Sequence, residues 1–137
     1  MKKVILTIGI PGSGKTTWSK KFVQENESYV RISRDGFRLM LKAIPMGDSI
    51  LEKLVTDLVN SSIITAIAYG YDVIVDQTNC NKKYLNQLVE FCSILGDVEY
   101  KIFDIEVEEA IKRDLGRENP VGEKVIRRMY DNFTRIL

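Results

Sequence analysis

Histidine is absent from the 137 residues, and cysteine is confined to Cys80 and Cys92. With no histidine and no cysteine pair at metal-ligand spacing, the chain lacks the ligands of a zinc site. Any general base must then be a carboxylate. Two cysteines make no disulfide framework, and reduced structural thiols in a cytoplasmic protein are expected. No apolar run reaches the roughly 20 residues of a membrane span, and no secretory leader pattern opens the chain, so no membrane partner is expected. A charge excess is also missing. The net charge is +1, which excludes a surface coated with positive charge for gripping long nucleic acid. Repeats, low-complexity tracts and linkers are absent as well, and one domain over residues 1–137 is expected.

Against these absences stands one dense motif. Gly9–Thr17 reads Gly-Ile-Pro-Gly-Ser-Gly-Lys-Thr-Thr, and Gly9, Gly14, Lys15 and Thr16 complete the Gly-x-x-x-x-Gly-Lys-Ser/Thr pattern of a phosphate-binding loop. Its flanks are those the motif requires. The apolar run Val4–Ile8 precedes it as a strand, and Thr16–Gln24 follows as a helix carrying Trp18, Phe22 and Val23 at helical spacing. Backbone N–H groups from Gly9 and from Gly12 to Thr17, Ser13 included, would face phosphate oxygens at a helix N-terminus. Lys15 would reach the β- and γ-phosphates, and the Thr16 hydroxyl would ligate Mg²⁺. ATP or another nucleoside triphosphate, with Mg²⁺, is the implied cofactor pair.

Downstream, strand and helix patterns alternate. Tyr29–Ile32 reads as a strand, and a helix opens at Ser33-Arg34-Asp35 and runs to about Ile44, with Asp35 and Arg38 on one face. Ser49-Ile50-Leu51-Glu52 reads as a capping box before a long amphipathic helix that Gly70 stops. Tyr71–Asp76 is a short apolar strand ending in an acid, the pattern of a second, metal-binding motif, so Asp76 joins Thr16 as a candidate Mg²⁺ ligand. A helix over Lys82–Leu95 capped by Asn81, a strand over Val98–Ile105, a helix over Val107–Leu115, a polar mobile connection Gly116–Gly122 and a final helix complete the chain. This alternation predicts an α/β fold of the P-loop NTPase type, with a small parallel sheet of about four strands and helices on both faces. The loop, Asp35, Asp76 and Thr78-Asn79 all follow strands, so they should meet at the carboxyl edge of that sheet.

Charge is also unevenly placed. Residues 1–70 carry ten basic and six acidic side chains, and residues 71–137 carry ten and thirteen. Within the acidic half, Lys112, Arg113, Arg117, Lys124, Arg127 and Arg128 form a basic cluster suited to a phosphate-rich ligand of limited size.

Taken together, these residues resemble the P-loop polynucleotide 5′-kinase family. The likeness runs from Lys2–Gly9 and Pro11–Lys15 through Arg34-Asp35-x-x-Arg38, Thr78-Asn79 and Lys112-Arg113 with Arg117 to Arg128-Met129-Tyr130. The phosphate loop is shared with many NTPases, whereas its combination with Asp-x-x-Arg after the second strand is far more specific. The resemblance implies transfer of the ATP γ-phosphate to the 5′-hydroxyl of DNA or RNA. It implies Asp35 as general base, Arg38 as holder of an acceptor phosphate, and Arg117 as a lid arginine on the nucleotide phosphates, with Arg113 as its competitor. Phage members place an aspartate directly before Thr-Asn, where this chain has Gln77 and an acid, Asp76, one residue earlier. No Asp-x-Asp-x-Thr phosphatase motif is present, so a kinase domain alone is expected, with a ligase or phosphatase as candidate partners on the same ends. A small-molecule kinase and a nucleotide-binding switch without transfer are the alternatives, and the oligomeric state is left open.

Overall fold

The computed structural model describes residues 1–136; Leu137, the last residue of the expected domain, lies outside the described residues. In chain order the elements are β1 (Lys3–Ile8), α1 (Lys15–Glu25), β2 (Tyr29–Ser33), α2 (Arg34–Lys42), α3 (Ser49–Ala68), β3 (Asp72–Asp76), α4 (Lys82–Leu95), β4 (Asp97–Ile102), α5 (Val107–Leu115) and α6 (Glu123–Ile136). The four strands form one sheet in the order β2-β3-β1-β4, and every pairing is parallel. The expected fold class and strand number are both found.

Parallel strands require crossovers, and here the crossovers are helices that cover both faces. Successive strand residues point to opposite faces, yet Val4, Leu6, Val73, Ile74 and Val75 are all fully buried and Ile5 nearly so. On one face, Val4, Leu6, Val73 and Val75 pack with Val55, Val59 and Ile63 of α3, Leu85, Leu88 and Cys92 of α4, and Ile126 and Phe133 of α6. On the other, α1 brings an aromatic group. Trp18 lies 5.0 Å from Phe22 and 5.7 Å from Phe103, with the Lys101 ammonium 5.4 Å from its ring centre. Trp18 is thus packing material, as its helical spacing suggests.

Several boundaries shift by a residue or two, α2 ending at Lys42 and not near Ile44 among them, and two differences have a plain physical reason. The last strand stops at Ile102 rather than Ile105, because its only partner, β1, leaves the sheet at Ile8 to enter the glycine loop. The long helix is capped by Asp48, whose carboxylate accepts from the Leu51 N–H at 2.8 Å, so Ser49 is not the cap. Glu52, the expected second half of the capping box, still bonds back, but to the Gly47 N–H at 3.1 Å, one residue ahead of the cap. Asn81 caps α4 as expected, accepting from the Tyr84 N–H at 3.2 Å.

Phe133 is 1% exposed and ties α6 to the sheet. Phe133→Ala should therefore lower the unfolding free energy by about 3–5 kcal/mol with a near-normal urea slope. A loss under about 1 kcal/mol would mean that α6 is not docked this way.

Candidate active site

Between Ile8 and Lys15 the backbone must reverse, and glycine allows it. Gly12 and Gly14 take φ of +83° and +98°, the left-handed region that other residues enter at a cost. A side chain at Gly12 would in addition strike the Ala110 carbonyl oxygen at 2.7 Å. The turn delivers Gly14 to the N-cap of α1, where no side chain caps the helix and no acid occupies the first turn. The first N–H groups of α1 therefore lack a side-chain partner and can receive an anion.

Lys15 is buried and bends back, donating to the Ile10 carbonyl at 2.8 Å and to Ser13 Oγ at 3.4 Å. Burial pushes its ammonium down to about 8, opposed chiefly by the charge of Asp76, with Asp35 contributing and Arg117 adding to the lowering. A phosphate beside Lys15 would replace the carbonyl and hydroxyl contacts with an ion-paired one. Thr16 and Thr17 are exposed at the start of α1. The cradle of free N–H groups, a buried lysine and an exposed hydroxyl fits a nucleotide polyphosphate.

Asp76 ends β3 and is 4% exposed. One of its oxygens, Oδ2, accepts from Nε of Arg31 at 2.7 Å, with Nη2 of the same guanidinium in ion-pair contact at 2.7 Å. Sequence gave no hint of this partner, because Arg31 sits on the neighbouring strand β2, near Asp76 only once Ser33 pairs with it in the parallel register. Gln77 is held through its backbone, which exchanges hydrogen bonds with Thr7 Oγ1, and its Nε2 donates to Asn79 Oδ1 at 2.6 Å. Asn79 adopts a left-handed backbone and donates to the Thr7 carbonyl, while the Thr78 carbonyl accepts from Gly9 N. The segment after β3 is thereby sewn to the end of β1.

Asp35 and Arg38 do share one face of α2, and they form an ion pair of 2.6 Å. Ser33 caps that helix by accepting from the Gly36 N–H, which leaves the Asp35 carboxylate, half exposed, free of capping duty. The unforeseen member is Glu52. It accepts from Arg38 Nε at 2.8 Å and Nη2 at 2.5 Å, and from Arg34 Nη2 at 3.2 Å. Burial alone would raise the Glu52 carboxyl, but Arg38 and then Arg34 overcome it and hold it at about 2. Arg34 and Arg38 lie four apart on one helix face, and two arginines so placed need a facing acid. That spacing was the available signal. With five N–H groups and three in use, Arg38 retains two for a ligand.

A cleft of about 680 Å³ opens on these residues. Pro11 of the loop, Asp35 and Arg38, and Gln77, Thr78 and Asn79 all line it, whereas Asp76, Lys15 and Thr16, also expected at this edge, are not among its lining residues. Arg117 lies apart from the cleft, in a small notch with Asp35, Leu39 and Val121, and pairs with Asp114 at 3.7 Å. Arg113 points to the loop itself, donating to the Gly12 carbonyl at 3.2 Å. The 116–122 connection is anchored at its far end. Asp114, 1% exposed, accepts from the Val121 and Gly122 N–H groups at 2.9 Å each.

A family model described as an AAA domain, AAA_33, matches residues 4–136. A solved chain of the Pnkp1/Rnl/Hen1 RNA repair complex superposes with a TM-score of 0.88 at 30% identity, over 98% of this chain and 44% of that one. A protein of Autographa californica nuclear polyhedrosis virus named as a bifunctional polynucleotide kinase/RNA ligase is 24% identical over 98% of this chain and 21% of its own length. An adenylate kinase of Campylobacter curvus is 27% identical over 85% of this chain and 69% of its own length. The chain thus spans about a fifth of the viral relative and under half of the solved chain.

The clasp predicts a pH dependence. With its carboxyl held at about 2 in the fold, below an unfolded value of about 4.3, Glu52 adds stability that is full above about pH 5. That contribution fades as pH falls toward 2. Urea unfolding of wild type and Glu52→Gln should differ by a constant amount from pH 8 to about pH 5 and converge below it. A gap as wide at pH 3 as at pH 7 would contradict the clasp.

Proposed function

The chain belongs to the AAA domain family AAA_33 and is a P-loop kinase, and on that premise we propose that it transfers the ATP γ-phosphate to the 5′-hydroxyl end of DNA or RNA. One observation carries the choice of acceptor. Beside the carboxylate Asp35, within the same cleft, stands an arginine with two unused N–H groups, fixed in direction by Glu52. A hydroxyl at Asp35 places the next phosphate of a strand within reach of that guanidinium. A lone sugar or nucleoside would leave it unused. The similarity to the RNA repair chain and to the viral kinase/ligase supports the same reading, and a ligase acting on the same ends is the partner it suggests.

Phosphoryl transfer through a loose transition state depends on positioning and charge neutralisation. Gly9 and Ser13, whose own N–H groups bond to the Thr78 and Ile10 carbonyls, shape the cradle; the N–H groups of Gly12, Gly14 and the first turn of α1 through Thr17 hold the nucleotide phosphates, and Lys15 turns from Ile10 to meet them. Mg²⁺ would be held by Thr16 together with the phosphates, with Asp76 behind, and would supply charge neutralisation on the β- and γ-oxygens. Asp35 orients the hydroxyl and receives its proton late in the transfer, so an ordinary carboxylate suffices. Arg117, at the notch beside Asp35, and Arg113 of α5, bonded to the loop at Gly12, supply the remaining positive charge. Settling of the 116–122 segment over the site would exclude water.

Asp35→Asn should lower transfer by roughly 10² to 10⁴ while ATP affinity changes little. An equal fall in ATP binding would make Asp35 structural. The acceptor is tested with labelled ATP offered to a nucleoside and to its 3′-phosphate. Wild type should prefer the 3′-phosphate strongly, and Arg38→Ala should erase that preference. Equal use of both by wild type would replace this reading with a small-molecule kinase.

A further inference from the structure

The cleft has two kinds of lining. Toward α2 and the start of α3 it is charged, with Arg34, Asp35, Arg38, Glu52 and Lys53. Toward α4 and α6 it changes character. There it presents Tyr84, Leu88, Phe91 and Met129, with Arg128 as the one charged side chain. Three neutral amides complete that part, one from each wall: Asn60 of α3, Gln87 of α4 and Asn132 of α6. None of the three takes part in a side-chain hydrogen bond among the described residues, although other amides near the site, those of Gln77 and Asn79, do.

The three amides stand at the surface of the cleft, Gln87 exposed and Asn60 and Asn132 half-buried, with their donors and acceptors open to a ligand. Here they face a shared space beside aromatic and sulfur-bearing surface. A ligand part that is flat, uncharged, apolar on its faces and lined with donors and acceptors on its edge satisfies both. A nucleobase has that chemistry. A phosphate would find a single cation there, and a hexose would leave the aromatic and aliphatic faces without a partner. The whole cleft, charged end included, has a volume of about 680 Å³, within the roughly 300–1,000 Å³ of small-ligand sites, so a sugar, its phosphate and its base fit together.

We propose that the α4–α6 end of the cleft is a nucleobase pocket that seats the 5′-terminal base of the acceptor, with Gln87 and Asn132 bonding its edge and Tyr84 and Phe91 covering its face. The inference rests on the kinase reading above and deepens it. The charged end holds the phosphate that follows the reacting hydroxyl, and the neutral end holds the base attached to the same sugar. Recognition is then of a nucleotide end, not of any hydroxyl beside a phosphate.

The test compares two 5′-hydroxyl oligonucleotides that differ only in whether the first nucleotide carries a base or is abasic. Wild-type kcat/KM should favour the base-bearing strand by about tenfold or more, mainly through KM, as two lost hydrogen bonds imply. Gln87→Ala and Asn132→Ala should each reduce that ratio about threefold or more, and the double variant should lower it further, leaving only the part that the base's face makes with Tyr84 and Phe91. Both side chains reach the cleft surface, so folding should survive, and unchanged thermal unfolding verifies it. If wild type uses both strands equally, the pocket assignment falls while the kinase reading stands. If the variants slow both strands by the same factor, the amides serve the backbone or the fold, and the assignment falls as well. Transfer to neither strand removes the kinase reading and this inference together.

Discussion

The structure depends on one constraint: β1 must end in the middle of the sheet and reverse through backbone angles that favour glycine. With β3 on one side and β4 on the other, β1 is central. Its exit point is therefore walled by neighbours, and the left-handed turns at Gly12 and Gly14 are what let α1 begin there. The helix N-terminus that results has no capping side chain. The unsatisfied N–H groups of α1 are the reason an anion is wanted at this place. Everything else at the edge is arranged around that point, including the Thr78 carbonyl bonded to Gly9 and the Arg113 guanidinium bonded to Gly12.

A second level of organisation joins α2 to α3. Glu52 holds Arg38 and Arg34 at once, and Arg34 Nη1 also donates to Thr56 Oγ1 at 2.9 Å. An arginine tied at Nε and Nη2 by one carboxylate has little rotational freedom left, so its remaining donors are directed before any ligand arrives. Asp35, on the same face and paired to the same guanidinium, shares that order. Arg38 and Asp35, the proposed phosphate grip and hydroxyl-orienting acid, are thus one preorganised unit in the same cleft as Pro11 of the loop.

The loop motif, the strand ends and the sheet class were legible because each is a local pattern with a strong backbone requirement. Val4–Ile8 before glycines, Asp35 opening α2 and Asp76 ending β3 could be placed from order and periodicity alone. What was not legible needed partners distant in sequence. Arg31 meets Asp76 across 45 residues, through strand register. Glu52 sits three residues after Ser49, so the local pattern of a capping box concealed it. Asp48 outcompeted Ser49 for the cap, and Glu52, besides accepting from the Gly47 N–H, meets two arginines on another helix. The pocket of amides was equally hidden, since Asn60, Gln87 and Asn132 come from three separate helices.

The most direct test of the account is a structure of the protein with ADP, Mg²⁺ and a 5′-hydroxyl oligonucleotide. The 5′-oxygen should lie within about 3.2 Å of an Asp35 carboxylate oxygen. The first bridging phosphate should rest on the free N–H groups of Arg38, with Glu52 still bonded to the same guanidinium. The ADP phosphates should occupy the N-terminus of α1. An acceptor whose 5′-oxygen sits away from Asp35, or whose phosphate displaces Glu52 from Arg38, would contradict the account.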